Sequence, residues 1–185
     1  MNIFLTGNTG VGKSTAISKF LGKTNFSYGG FETKLRANQV VLRDLISNET
    51  EVVAERFGPN WKVMKEGFEG LGKLSIERAL AERDIVVMDE LGRFELDCRE
   101  FQKSVFSALD RGSQIDLSDG SREACGYPGR KIILGVLKNE SNPFLDRIRS
   151  LKEIVIVKVT EENREFTPEL IEEKIRSSDN LPPCL

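Results

Sequence analysis

Nine residues near the start of the chain, GNTGVGKST from Gly7 to Thr15, hold three glycines, one lysine and three hydroxyl-bearing side chains. Gly7-Asn8-Thr9-Gly10-Val11-Gly12-Lys13-Ser14 fits G-x-x-x-x-G-K-[ST] at every specified position. Glycines let the backbone curl so that successive N–H groups point inward as an anion nest. A helix starting near Lys13 adds unpaired amides and the positive end of its dipole. Lys13 then reaches the β- and γ-phosphates of a polyphosphate, and the Ser14 hydroxyl is placed to ligate Mg²⁺. Phosphate contacts are therefore expected from Gly7, Asn8, Thr9, Gly10, Val11, Gly12, Lys13, Ser14 and Thr15. The competing reading is a plain glycine turn between strand and helix. The full motif, entered by an apolar strand and left by an amphipathic helix, favours phosphate.

A second pair of chemically capable residues ends the apolar run IVVMDELG. Asp89 and Glu90 stand where a buried strand reaches its carboxyl end. Asp89 is expected to share the Mg²⁺ shell with Ser14. Glu90, one residue on, is the candidate to orient and deprotonate an attacking water. Alone, the two acids could be a solvated strand end; beside the glycine loop they make the other half of one ion site. Asp84 reads as a turn residue and Asp97 as a helix cap. The chain has no histidine, which removes Ser–His and Cys–His mechanisms and histidine-ligated zinc. A further cation is expected to meet charge on the transferred group, with Arg93, Arg111, Arg122 and Arg130 as candidates.

These residues need a scaffold that gathers strand ends at one edge. Four nearly unbroken apolar runs, 2–5, 85–88, 132–137 and 154–159, suit parallel strands buried on both faces. Ala16, Ile17, Phe20 and Leu21 form a helical stripe ending at Gly22. Leu71, Leu74, Ala79 and Leu80 form a weaker one. A third helix carries Phe101, Val105, Ala108 and Leu109 behind an Asp97–Glu100 capping box. A last helix starts with Thr167 as N-cap and Pro168 in its first turn. Residues 26–65 carry β-branched and aromatic runs between turn signals, read as antiparallel strands added to the parallel core. Residues 111–130 lack a sustained period and read as a long loop, and 178–185 as a flexible tail after a single domain over 1–177. The fold class is thus α/β, a mainly parallel sheet flanked by helices with inserted antiparallel strands. Ligands in such sheets bind beyond the carboxyl ends of the strands.

With 27 basic and 29 acidic residues the net charge is -2, which argues against nucleic acid as a general partner. No apolar run reaches membrane-span length, and the N-terminus lacks a secretory pattern. Cys98, Cys125 and Cys184 are scattered, with neither metal-ligand spacing nor a disulfide framework. A cytoplasmic setting is expected.

Taken together, several segments resemble the Thep-type nucleoside-triphosphatases, small P-loop enzymes also called cancer-related nucleoside-triphosphatases. The resemblance rests on IFLTGNTGVGKST, GGFETKLR (29–36), ERALAERDIVVMDELGRFEL (77–96) and VTEENRE (159–165), in family order over most of the chain. DELGRFEL is similar to the family's Asp-Glu-Ile-Gly-Lys-Met-Glu-Leu signature, with Arg93 for lysine and Phe94 for methionine; lysine and arginine hold phosphate differently. The resemblance implies Mg²⁺-dependent cleavage of nucleoside triphosphates, ATP and GTP among them, to diphosphate and phosphate. It matches Glu90 to the family's glutamate after the ion-binding acid. Lys13, Glu90 and Arg93 are expected as the catalytic set. Asn163 and Arg164 match its Asn-Arg ending, where an arginine could stack on the base and an asparagine meet its edge, or the pair could simply open a charged helix. A nucleotide or nucleoside kinase is the alternative, using the same loop with a different acceptor. A slow nucleotide-dependent switch is another.

Overall fold

The computed structural model describes residues 1–113 and 131–177. The strands are β1 (Asn2–Thr6), β2 (Tyr28–Arg36), β3 (Gln39–Asp44), β4 (Thr50–Phe57), β5 (Asn60–Val63), β6 (Ile85–Leu91), β7 (Ile132–Leu137) and β8 (Ile154–Lys158). They form one sheet in the order β5-β4-β3-β2-β6-β7-β1-β8. Pairing is parallel from β2 through β6, β7 and β1 to β8, and antiparallel from β2 through β3 and β4 to β5.

This arrangement corrects one expectation for residues 26–65. Only β3, β4 and β5 are a purely antiparallel addition; β2 also pairs in parallel with β6, with Glu32 opposite Asp89. The reason lies in Gly29, Gly30 and Phe31, all buried, which give β2 an inner half fit for the core. Its outer half, from Lys34, is exposed.

Helices cover both faces, and the alternation of β1 shows why. Ile3 and Leu5 point to one side and Phe4 to the other, all fully buried. On the first side lie α1 (Lys13–Leu21) and α6 (Thr167–Ser177), burying Ala16, Ile17, Phe20, Ile171 and Ile175. On the other lie α2 (Lys65–Gly67), a π-helical turn over Phe68–Gly72, α3 (Lys73–Glu82), α4 (Arg99–Ser113) and α5 (Pro143–Arg149). Phe101 anchors this side, with its ring centroid 5.5 Å from Phe31 and 5.4 Å from Phe68. Edge contacts of that kind contribute about 0.5–1.5 kcal/mol beyond area burial.

Several local expectations are corrected. The α3 stripe is Ile76, Ala79 and Leu80, with Phe68 and Gly72 ahead of it, while Leu74 faces solvent. The π-helical turn rotates the face between Phe68 and Lys73, so a regular 3.6-residue count across it misplaces Leu74. Asp97 and Glu100 do not form a capping box: the Glu100 N–H donates to Glu69 at 3.4 Å, and Asp97 lies 3.8 Å from Lys65. Thr167 is buried inside the first turn of α6, where its hydroxyl donates to the Asn163 carbonyl instead of accepting a cap bond. Of the segment read as a loop, 111–113 belong to α4; 114–130, like the tail 178–185, lie outside the described residues.

α5 escaped the sequence reading although its signals are present. Asn142 caps it by accepting the Leu145 N–H at 2.9 Å, and Pro143 fills the first position.

Candidate active site

The glycine loop leaves β1 at the carboxyl edge of the sheet and runs into α1. Gly7, Gly10 and Gly12 all take positive φ, at 143°, 79° and 108°. Gly7 has a second reason to be glycine, because a Cβ there would collide with the Val159 carbonyl at the end of β8. The loop is thereby pressed between β1 and β8 with its amides free to curl. Lys13 is 7% exposed, and its ammonium donates to the carbonyls of Gly7 at 3.0 Å and Asn8 at 2.9 Å. Its pKa is lowered by burial and partly restored by Glu90 and Asp89.

Ser14 follows Lys13 in the first turn of α1, and its hydroxyl donates to Asp89 Oδ1 at 3.1 Å. The two expected ion ligands therefore meet across the sheet, from α1 and β6. Asp89 is 7% exposed, and burial pushes its pKa up to about 6 despite the Ser14 hydrogen bond. Glu90 and Glu32 push in the same direction. A desolvated carboxylate beside a hydroxyl, with other acids nearby, is a donor set that a hard divalent cation would relieve. Among the described residues no group of three or more His, Cys, Asp or Glu could cage a metal unaided. Mg²⁺ takes one or two protein oxygens and completes its shell with phosphate and water, and the Ser14 hydroxyl and Asp89 carboxylate are oxygens of that kind. The residues fit the ion.

Glu90 lies beyond the regular ladder, for the β6 register against β7 shifts between Met88 and Leu91. Its N–H donates to Thr33 Oγ1 at 3.2 Å. Its carboxylate pairs at 3.1 Å with Lys138, a residue the sequence reading did not single out. Lys138 follows β7, and β7 runs between β1 and β6. Its ammonium is a second cation at this edge, paired with Glu90 and close enough to lower the Lys13 pKa. The available signal was a lysine directly after the apolar run IILGVL, at the same strand edge as Asp89.

The other nominated residues are placed less uniformly. Arg164 lies over the loop, with Cδ 3.8 Å from where a Cβ on Gly12 would stand. Asn163 spends its amide on its own turn, accepting the Thr160 N–H at 2.8 Å and donating to the Lys158 carbonyl at 2.9 Å. Arg93 is exposed on the turn after β6, its guanidinium 5.4 Å from the Phe94 ring centroid. Arg111 is near the end of α4, where the Gly112 carbonyl accepts from the N-terminal ammonium, so it stands at the opposite edge of the sheet. Arg122 and Arg130 lie outside the described residues.

Glu95 closes the turn after Glu90. It is 2% exposed and accepts the Gly92 N–H at 2.9 Å, and burial raises its pKa to about 7. The unfolded carboxyl titrates near 4.5, so the folded state keeps a proton that the unfolded chain loses. The resulting stabilisation is full below pH 4.5 and is lost as pH rises through about 7. Glu95→Gln keeps the acceptor without the charge. It is expected to raise thermal stability at pH about 8, by at most roughly 3 kcal/mol, and to change little at pH about 5. Thermal melts at both pH values check this; an equal gain at both would point to packing.

A family model described as NTPase matches residues 2–115, more than half of the chain and both halves of the Ser14–Asp89 pair. The chain belongs to the NTPase family. The nucleoside-triphosphatase THEP1 of Thermotoga maritima is 29% identical over 175 residues, covering 89% of each chain. The THEP1 of Methanosarcina acetivorans is 30% identical over 186 residues, covering 92% of this chain and 94% of its own. Among solved structures, THEP1 from Aquifex aeolicus superposes with a TM-score of 0.70 at 23% identity, over 92% of this chain and 96% of that one. A human cancer-related nucleoside triphosphatase gives 0.67 at 24%, over 97% and 99%. At these identities the two structures speak to fold alone: the P-loop NTPase architecture, with its mixed, mostly parallel sheet. The family resemblance read from DELGRFEL and the glycine loop is the one these relatives bear out. No described helix is long and apolar enough to cross a membrane.

Proposed function

We propose that the chain is a Mg²⁺-dependent nucleoside-triphosphatase that cleaves ATP, GTP and other nucleoside triphosphates to diphosphate and phosphate, in a cytoplasmic setting. The observation that carries this is the Ser14–Asp89 contact of 3.1 Å beside a glycine loop, with Glu90 directly after Asp89. The names of the relatives support it.

In this reading the amides of Gly7 to Thr15 and the Lys13 ammonium take the β- and γ-phosphates. Ser14 and Asp89 would hold the ion, which when bound supplies positive charge to the phosphate oxygens. Glu90 orients a water in line with the γ-phosphorus and accepts its proton. Lys138 aims the Glu90 carboxylate and puts a cation at the edge where charge gathers on the transferred group. Arg93 is a remaining catalytic candidate on the next turn. Arg164 offers a guanidinium plane to the base, which accounts for tolerance of different bases, while Asn163 shapes the turn presenting it.

The test is phosphate and diphosphate release from ATP and GTP with magnesium and after chelation. Release is expected to need the metal and to accept both nucleotides. Equal rates after chelation would overturn the assignment of Ser14 and Asp89.

A further inference from the structure

On the β2 side of Glu90, away from the glycine loop, lies a cavity of about 140 Å³. Val40, Trp61, Phe68 and Phe94 give it apolar walls, and Glu90 and Lys138 line it as well. Glu90 is therefore shared: beside the ion pair of ligands on one side, open to this cavity on the other.

The volume decides what could enter. One water has a liquid share of roughly 30 Å³, so hydrolysis alone needs far less space. Clefts that enclose drug-sized ligands run from about 300 Å³ upward, so a second nucleotide could not be enclosed here. An apolar cavity of about 150 Å³ holds benzene. The walls agree with a ring of that size, since Trp61 and Phe94 stand with centroids 5.3 Å apart and tilted by 54°, a geometry that extends readily to a third ring. Of the titratable lining residues, Glu90 and Lys138 neutralise each other at 3.1 Å, Glu95 is buried with its pKa raised to about 7, and Arg93 is exposed to solvent, so no unpaired charge inside the cavity calls for a charged ligand.

We propose that this cavity binds a neutral, single-ring aromatic or heteroaromatic alcohol, which takes the γ-phosphoryl group in place of water. The alcohol oxygen attacks the γ-phosphorus, the bond from that phosphorus to the β–γ bridging oxygen breaks, and the diphosphate leaves with the electron pair. The alcohol proton passes to Glu90 and on to solvent, leaving a phosphomonoester. This rests on the reading of Glu90 as general base, which phosphate release without any alcohol tests independently.

Trp61 is the only tryptophan in the chain, so its emission reports occupancy directly. The full chain is titrated with 4-pyridinemethanol, with 4-methylpyridine as a ring lacking the hydroxyl, and with glycerol as an alcohol lacking the ring. Both ring compounds are expected to change Trp61 emission saturably, and glycerol is not. With ATP and magnesium, phosphorus-31 NMR is expected to show a phosphomonoester from 4-pyridinemethanol and none from 4-methylpyridine. Val40→Phe, which fills the cavity, is expected to abolish the emission response. Leu35→Glu at the exposed rim is a second route to the same loss should the first variant fold poorly. No saturable change at millimolar probe overturns the cavity's role as a ligand site. A saturable change without phosphomonoester overturns its role as acceptor site.

Discussion

Glu90→Gln is expected to retain nucleoside triphosphate with near-native affinity while lowering hydrolysis by roughly 10²–10⁴, the range typical of a lost general base. The substitution is nearly isosteric and leaves the backbone N–H that Glu90 donates to Thr33 at 3.2 Å. It leaves the Ser14–Asp89 contact alone. It removes the charge that pairs with Lys138 at 3.1 Å, a pair with both side chains 31% exposed, so little stability is at stake. Binding is to be measured by equilibrium titration with a labelled nucleotide and turnover by single-cycle phosphate release, because only separate measurements distinguish a lost base from a lost site. Unchanged turnover would remove Glu90 from the role given to it. A parallel loss of binding would instead mean that its charge holds the Lys13 and Lys138 cations in place.

That pair of lysines shows how far the sequence could be read. The glycine loop, Asp89 and Glu90 were legible because each declares itself within a few residues: a motif of fixed spacing, or an acid closing an apolar run. The four core strands were legible for the same reason, being buried on both faces and hence unbroken in apolar character. Lys138 was not, because its value comes from strand order. Only when β7 is inserted between β1 and β6 does the residue after it face Glu90. The parallel pairing of β2 with β6 was hidden in the same way, across a gap of more than fifty residues of chain. Asn163 was legible as a residue worth naming, but the partners of its amide, Thr160 and Lys158, belong to the turn's own backbone. The cavity beside Glu90 was beyond any local reading, since its walls come from β2, β3, β5, the π-helical turn, and the segments after β6 and β7.

Lys13→Met is expected to lower turnover by roughly 10²–10³, the cost of removing one preorganised donor from developing charge, and to weaken nucleotide binding as well. Methionine matches the length of the lysine stem and can occupy the same buried path under the loop. What it cannot do is donate to the Gly7 and Asn8 carbonyls, now at 3.0 and 2.9 Å from the ammonium, or meet a phosphate oxygen. The Asn8 carbonyl is on an exposed residue, where water can replace the lost donor at small cost, while the buried Gly7 carbonyl loses its partner at a cost of about 1–3 kcal/mol. The ammonium itself is held against a desolvation penalty that already lowers its pKa. The two effects oppose each other, so stability is expected to change little while activity falls steeply. Thermal melts beside single-cycle hydrolysis separate the two roles. A variant that melts well below the parent and regains turnover on cooling would show that Lys13 serves the loop's shape and leaves the phosphate charge to other groups.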